Sequence, residues 1–132
     1  MRLIELRGDP PLPDSGILVR GGLHALDADK VRDDAVDAQL RSGVLAISTF
    51  GAADGDVEGL CRRVARLGQP GPGQLWVAEV GQLRREGFAL LDTPPDEHYD
   101  IVLADVEQLT IARLRRCFQL RDNPTRRQRG GR

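Results

Sequence analysis

The chain has 132 residues, a length that corresponds to one domain. Hydrophobic residues make up 40% of it and charged residues 30%, which suits one core under a charged surface and excludes a disordered body. No apolar run approaches the roughly 18 residues of a membrane span, and residues 1–7 lack the apolar region of a secretory signal, so we expect a cytoplasmic protein without membrane contact.

The first third of the chain predicts two strands, a helix and a third strand. Short apolar segments predict strands at 1–7 and 17–20, separated by a proline-rich loop. A helix is predicted to begin after Asp27 as its N-cap and to end at Gly43. Residues 44–49 are apolar on both faces, which indicates a strand in the middle of a sheet.

The remaining elements complete one mixed domain. They are a helix capped by the segment Asp54-Gly55-Asp56 and carrying the apolar stripe Val57, Leu60, Cys61 and Val64, a strand at 75–80, a helical turn at 82–86, strands at 88–91 and 99–103 that form a hairpin, and a helix at 106–118 capped by Asp105. This mixture predicts a single α+β domain with a mixed sheet of five to six strands and three main helices. Residues 1–118 are expected to form the compact domain, and 119–132 a disordered Arg-rich tail.

The net charge of −1 is unevenly distributed along the chain. The last 14 residues carry five arginines and one acid, a charge of +4, which leaves −5 for residues 1–118. This tail predicts contacts with nucleic-acid phosphates through Arg126, Arg127, Arg129 and Arg132. It has no interleaved aromatic residues to stack on bases, so the alternative is a tail that only adds solubility.

Two of the predicted strands end at polar residues that precede glycine. One ends at Arg20, and the other at Ser48 and Thr49. Because glycine lets a ligand approach the backbone closely, Arg20 is a candidate clamp for an anion and the two hydroxyls are candidate binding groups. The alternative is a turn beside a surface arginine and an ordinary strand threonine.

Together these residues resemble the ADP-ribosyltransferase superfamily, in the branch with an arginine–serine–glutamate motif. The resemblance implies that Arg20 contacts the phosphates of NAD and that Ser48 and Thr49 brace the site. It covers about a third of the chain, and Phe50 stands where the motif has its last serine. The chain is also similar to small actinobacterial proteins, which implies no activity.

The candidate catalytic residues are Glu79, Glu97 and His98. The resemblance calls for a glutamate that activates the nicotinamide ribose, but the Glu-x-Glu pattern of the family has no clean match, so the role is unassigned between Glu79 and Glu97. His98 has carboxylates beside it at Asp96, Glu97 and Asp100, which is typical of a general base held by an acid. A solvated loop after two prolines is the alternative.

Neither the cysteines nor the histidines show metal-ligand spacing, so no metal site is expected. Cys61 and Cys117 are predicted to be buried core residues, and a disulfide requires their helices to lie side by side. The leading functional hypothesis is a small soluble interaction or regulatory module that acts through a protein partner without a cofactor. The alternatives are a diverged NAD-dependent ADP-ribosyltransferase-like enzyme or toxin, and a nucleic-acid-associated protein.

Overall fold

A computed structural model describes residues 12–68 and 73–125 as a single α+β domain. None of the helices in these residues is both long and apolar enough to cross a membrane. The strand predicted at 1–7 lies outside the described residues. The elements are β1 (Ile17–Gly21), α1 (Ala28–Ser42), β2 (Ala46–Ala52), α2 (Val57–Val64), a 3-10 turn (Ala65–Leu67), β3 (Gln74–Glu79), α3 (Val80–Arg85), β4 (Ala89–Asp92), β5 (His98–Val102), α4 (Gln108–Arg116) and β6 (Phe118–Asp122).

The six strands form one sheet in the order β4-β5-β2-β1-β3-β6. The α+β class and the expected number of strands are confirmed, and so is the interior position of β2. All five pairings between the described strands are antiparallel, so the part of the sheet that they form is not mixed as the sequence suggested. A parallel pair needs a crossover that returns the chain to the end where the first strand began. Here α1 instead delivers the chain to the end where β1 stops.

Helix α1 follows the predicted bounds closely. Gly43 ends it in the left-handed conformation (φ 83°) and donates its N–H to the carbonyl of Gln39. Asp27 stands at the N-cap, but its carboxylate bonds the ring of His24 at 2.9 Å rather than a helix N–H. The buried stripe that packs on the sheet consists of Val31, Ala35 and Ala38.

The sheet carries a hydrophobic core on each face. The larger core lies under α1, α3 and α4 and includes Leu18, whereas the smaller one lies under α2 and includes the neighbouring Ile17 and Val19, as strand alternation requires. Cys117 belongs to the larger core and Cys61 to the smaller. Both thiols are buried and free, which confirms their prediction as core residues. Burial, with help from neighbouring acids, raises the pKa of Cys61 to about 11.

The last strand lies where the sequence predicted the start of the tail. Residues 118–122 pair with β3 along their whole length, so the boundary expected after Phe118 falls inside β6, and residues 126–132 lie outside the described part. Only Phe118 of this strand is buried. An edge strand with few apolar residues has a composition close to that of a polar tail. The alternation of Phe118 and Leu120 with Gln119 and Arg121 was nevertheless a signal for a strand.

Helix α4 is shorter than predicted at both ends. It begins at Gln108 rather than at Val106, and ends at Arg116 because the chain turns at Cys117 into β6. Asp105 lies just before the helix, where its carboxylate accepts from the backbone N–H of Glu107 and from the hydroxyl of Thr110. These bonds stabilise the entry to the helix and lower the pKa of Asp105.

Candidate functional site

The site is formed where β1 and β2 separate. The two strands pair at only three positions, residues 17–19 with residues 50–52, whereas β1 pairs with β3 at five. Gly22 has a φ of 107°, which only glycine adopts without strain, and donates its N–H to the carbonyl of Gln74. The end of β1 therefore stays with β3 and leaves β2 beyond Val19, so that a gap opens within the sheet.

The Arg20 side chain crosses this gap. Its guanidinium donates to the carbonyl oxygen of Ser48 on β2 (2.9 Å), to that of Ala25 (2.9 Å), and to Asp34 on α1 (2.6 Å). The residue is 8% exposed. All three nitrogens therefore have partners within the protein, and the geometry favours a structural tie between β1, β2 and α1 over a free anion clamp.

Two cavities adjoin this tie. An open cleft of about 1090 Å³ lies between the end of β1, the start of α1 and the middle of β2, and its apolar lining includes Leu23, Phe50, Leu67 and Pro95. A smaller cavity of about 410 Å³ lies on the side of the β4–β5 turn. The residues that line both cavities, and so form the wall between them, are Arg20, Asp34, Ser48 and His98.

A small polar cluster surrounds His98 in this wall. Its Nδ1 lies 2.6 Å from the hydroxyl of Thr93, its Nε2 lies 3.9 Å from Asp100, and its ring meets Phe50 edge-on at 5.2 Å. The hydroxyl of Ser48 donates to Asp100 at 3.4 Å. Burial raises the pKa of Asp100, although His98, Ser48 and Arg41 oppose the shift in part. The cluster therefore places a carboxyl group of raised pKa, that of Asp100, beside the imidazole of His98, which also contacts Thr93.

The structure brings together some of the sequence-predicted site residues and separates others. Arg20, Ser48 and His98 share the wall, and Thr49 lies beside it in the open cleft, with its hydroxyl donating to the carbonyl oxygen of Tyr99 at 2.7 Å. Glu79 pairs with Ile17 at the opposite end of β1.

The other candidate glutamate is engaged elsewhere. The carboxylate of Glu97 accepts from the Nε of Arg63 on α2 at 2.6 Å. Its backbone takes a left-handed conformation (φ 67°), and its carbonyl accepts from the N–H of Gly51 at 2.8 Å. Neither Glu97 nor Glu79 is among the residues that line the two cavities, so neither stands where the resemblance needs a catalytic glutamate.

Two carboxylates that sequence reasoning did not assign to the site belong to it. Asp34 lies within the apolar stripe of α1, three residues after Val31 and one before Ala35. An acid in such a stripe needs a partner, which was the signal available for it. Asp100 was noted only as a neighbour of His98. Its burial follows from the position of β5 between β4 and β2.

Comparison with known protein families, with curated proteins and with solved structures found no match. Within residues 12–68 and 73–125, no group of three or more histidine, cysteine, aspartate or glutamate side chains is arranged to hold a metal ion. Functional inference for this site therefore rests on its own geometry.

The Asp100→Asn variant should change how stability depends on pH. Since the pKa of Asp100 is raised in the folded protein, its contribution to stability is full below about pH 3.8 and is lost as pH rises through the higher, folded-state pKa. We expect the free energy of unfolding of the variant, relative to the native chain, to increase as pH rises from about 3 to 7. Urea unfolding across that range measures the difference.

The exposed Asp33 supplies the matched control for this experiment, because Asp33→Asn removes a carboxylate from the surface of α1. Its stability relative to the native chain should be nearly independent of pH. The opposite result would be a free energy of unfolding that rises with pH more for the native chain than for Asp100→Asn. It would show that pairing with His98 and Arg41 outweighs burial at Asp100.

Proposed function

We propose that the protein is a small cytoplasmic interaction module whose open cleft takes an apolar side chain of a protein partner. The observation that carries the proposal is the exposure of two leucines within one concave surface. Leu23 is 47% exposed and Leu67 41%, and both line the cleft with Phe50 and Pro95. Exposed apolar side chains gathered in a concavity are typical of interaction sites.

The polar groups around the cleft favour this apolar mode of binding. The guanidinium of Arg20 and the carboxylate of Asp34 bind each other, the hydroxyl of Thr49 bonds Tyr99, and one ring nitrogen of His98 contacts Thr93. A ligand that used these groups would have to break bonds that the protein already makes. Covering the leucines, by contrast, gains about 25 cal/mol for each Å² of apolar surface removed from water.

The rim of the cleft is held in place before any partner binds. The indole N–H of Trp76 donates to the carbonyl oxygen of Leu23 at 3.1 Å, and Gly22 accepts from the N–H of Ala25 to close the turn that carries this leucine. Phe50 is fixed by its edge-on contact with His98. A preformed surface loses little conformational entropy on binding, which favours affinity.

The partner segment should carry a basic residue beside its apolar anchor. Residues 1–118 have a charge of −5, and the carboxylates of Asp27 and Asp29 lie on the cleft with side chains 46% and 97% exposed. Their contacts with His24 and Arg32 are exposed surface pairs of little strength, so a cation of the partner can replace them at small cost. Complementary charge speeds the encounter and selects among partners. The predicted ligand is therefore a short protein segment with an apolar residue next to lysine or arginine.

Selection of peptides from a random displayed library tests this function. Peptides enriched on the native chain should share an apolar anchor beside a basic residue, and Leu23→Asp or Leu67→Asp should weaken their binding at least about tenfold. Leu109→Asp is the control, because Leu109 is 83% exposed and is absent from the lining of the cleft. Both classes of variant should keep the thermal stability of the native chain within a few degrees.

Peptides that bound Leu23→Asp and Leu67→Asp as tightly as the native chain would overturn the proposal, as would a selection without enrichment. The alternative function is an NAD-dependent ADP-ribosyltransferase-like enzyme, and it is supported by the placement of Arg20 and Ser48 on one cleft. If the native chain released nicotinamide from NAD and Ser48→Ala abolished that release, the enzyme would be the function and the interaction module would be wrong. We expect no such release.

A further inference from the structure

A third cavity lies near the other end of β1, away from the cleft. It has a volume of about 480 Å³ and is bounded by the start of α2, the end of β3, the end of α4 and β6. Its apolar floor includes Ile17 and Val77. The polar side chains that line it are Ser15, Glu79, Gln82, Arg116, Gln119 and Arg121. None of these groups takes part in the proposed interaction cleft.

Two arginines of this cavity, Arg116 and Arg121, differ from their neighbours in having no hydrogen-bond or ion-pair partner among the described residues, although Arg116 acts on the Cys117 thiol through its charge. Arg113 approaches Glu86 at 3.8 Å and lies over the ring of Phe88, and Arg115 lies over the ring of Trp76. Within residues 12–68 and 73–125, by contrast, no acceptor bonds the guanidinium of Arg116 or Arg121, and no carboxylate lies within 4.0 Å of either. Two unpaired forks of N–H donors on one cavity are suited to a phosphate group.

The other polar groups fit an anion as well. Gln82 lines the cavity and accepts from Arg85 through its Oε1, which leaves its amide NH₂ available as a donor. Gln119 and Ser15 add an amide and a hydroxyl. Glu79 is the one carboxylate among the lining residues, so the charged side chains of the cavity sum to +1. The donor set therefore outweighs the single acidic group.

The charge of the surrounding chain indicates that the anion is extended. Residues 113–132 contain eight arginines and one acid, a charge of +7. Because the net charge of the whole chain is −1, residues 1–112 have a charge of −8. Four of the eight arginines precede Asp122, and the other four follow Thr125, beyond the end of β6 that pairs with the start of β3 and so lies away from this cavity. A cavity for one phosphate beside so basic a stretch of α4 and β6 suits one link of a phosphodiester chain, bound through its backbone rather than its bases.

We propose that this cavity binds a phosphate group of a single-stranded nucleic acid through Arg116 and Arg121. The test uses the full chain, a fluorescent oligothymidylate of about 20 nucleotides and, separately, inorganic pyrophosphate. Arg116→Gln combined with Arg121→Gln should weaken oligonucleotide binding about tenfold and lower the slope of log affinity against log salt by about 0.7, the value for one lost phosphate contact. Arg66→Gln, which removes an exposed arginine outside the cavity, should change neither.

A variant that is expected to strengthen binding excludes loss of folding as an explanation for the weaker binding of the arginine variants. Glu79 makes no side-chain bond at the start of α3, so Glu79→Gln removes only its negative charge and should strengthen binding about twofold to fivefold. Pyrophosphate distinguishes the source of the phosphate. If the chain binds the oligonucleotide at least about tenfold more tightly than pyrophosphate, the ligand is a nucleic acid. If it binds both equally, and the arginine variants weaken both, the site belongs to a free phosphate compound. Insensitivity of both ligands to the paired arginine substitutions would overturn the site.

Discussion

Replacing Arg20 with alanine should lower the free energy of unfolding by about 3 kcal/mol. The change leaves Asp34 partly buried without its closest cation and leaves the carbonyl oxygens of Ser48 and Ala25 without their donor. Removing one partner of a buried ion pair typically lowers the free energy of unfolding by about 3–5 kcal/mol, because the other charge stays buried without a partner. We expect a value near the lower end of this range. Lys30 still contacts Asp34 at 3.2 Å and limits the loss.

Urea unfolding, followed by far-ultraviolet circular dichroism and by the fluorescence of Trp76, measures this effect. Arg32→Ala is the matched control, since it breaks an exposed ion pair with Asp29 on the same helix and should cost less than about 0.5 kcal/mol. Equal stability of Arg20→Ala and the native chain would mean that Arg20 is free to bind a ligand, as the resemblance to ADP-ribosyltransferases implies.

Replacing Leu60 with alanine should also lower the free energy of unfolding by about 3 kcal/mol. Leu60 is fully buried in the smaller core, which α2 covers with only eight residues. A helix this short is not stable by itself in water, so its contacts with the sheet supply nearly all of its stability. Removing its central side chain leaves a cavity between α2 and β2 that no neighbouring element fills.

Leu40 provides the control for this substitution because it lies on α1 with 81% of its surface exposed. Leu40→Ala should change the free energy of unfolding by less than about 0.5 kcal/mol in the same urea experiment. A loss below about 1 kcal/mol for Leu60→Ala would indicate that the smaller core collapses around the missing side chain and that α2 is held by its ends.

The parts of the fold that follow local rules were predictable from the sequence. The glycine after α1 takes the left-handed conformation that its position suggested. The segment Asp54-Gly55-Asp56 caps α2 as expected, through the carboxylate of Asp56, which accepts from the N–H of Gly59. The hairpin of β4 and β5 and the interior position of β2 also follow from nearby residues. Each of these features depends on contacts within a few residues or on the burial of both faces of a strand.

The site depended on contacts that no local rule specifies. Arg20 and Asp34 are 14 residues apart, and Ser48 lies 28 residues from Arg20, so their meeting depends on how α1 packs against the sheet. The sequence identified Arg20 and Ser48 as a pair worth testing, but it did not show that Arg20 would bind the backbone of that serine. Glu79 was placed near them only by the resemblance, and the register of β1 with β3 puts it at the far end.

The short pairing of β1 with β2 makes the sheet mechanically uneven. Three residue pairs join the half that contains β1, β3 and β6 to the half that contains β2, β4 and β5, whereas every pairing within a half has four or five. A load that separates the halves acts first on the bonds that Arg20 makes across the open end, and then on the three pairs in turn. We therefore expect the joint between the halves to yield before either half does, so that widening the cleft begins to separate β1 from β2.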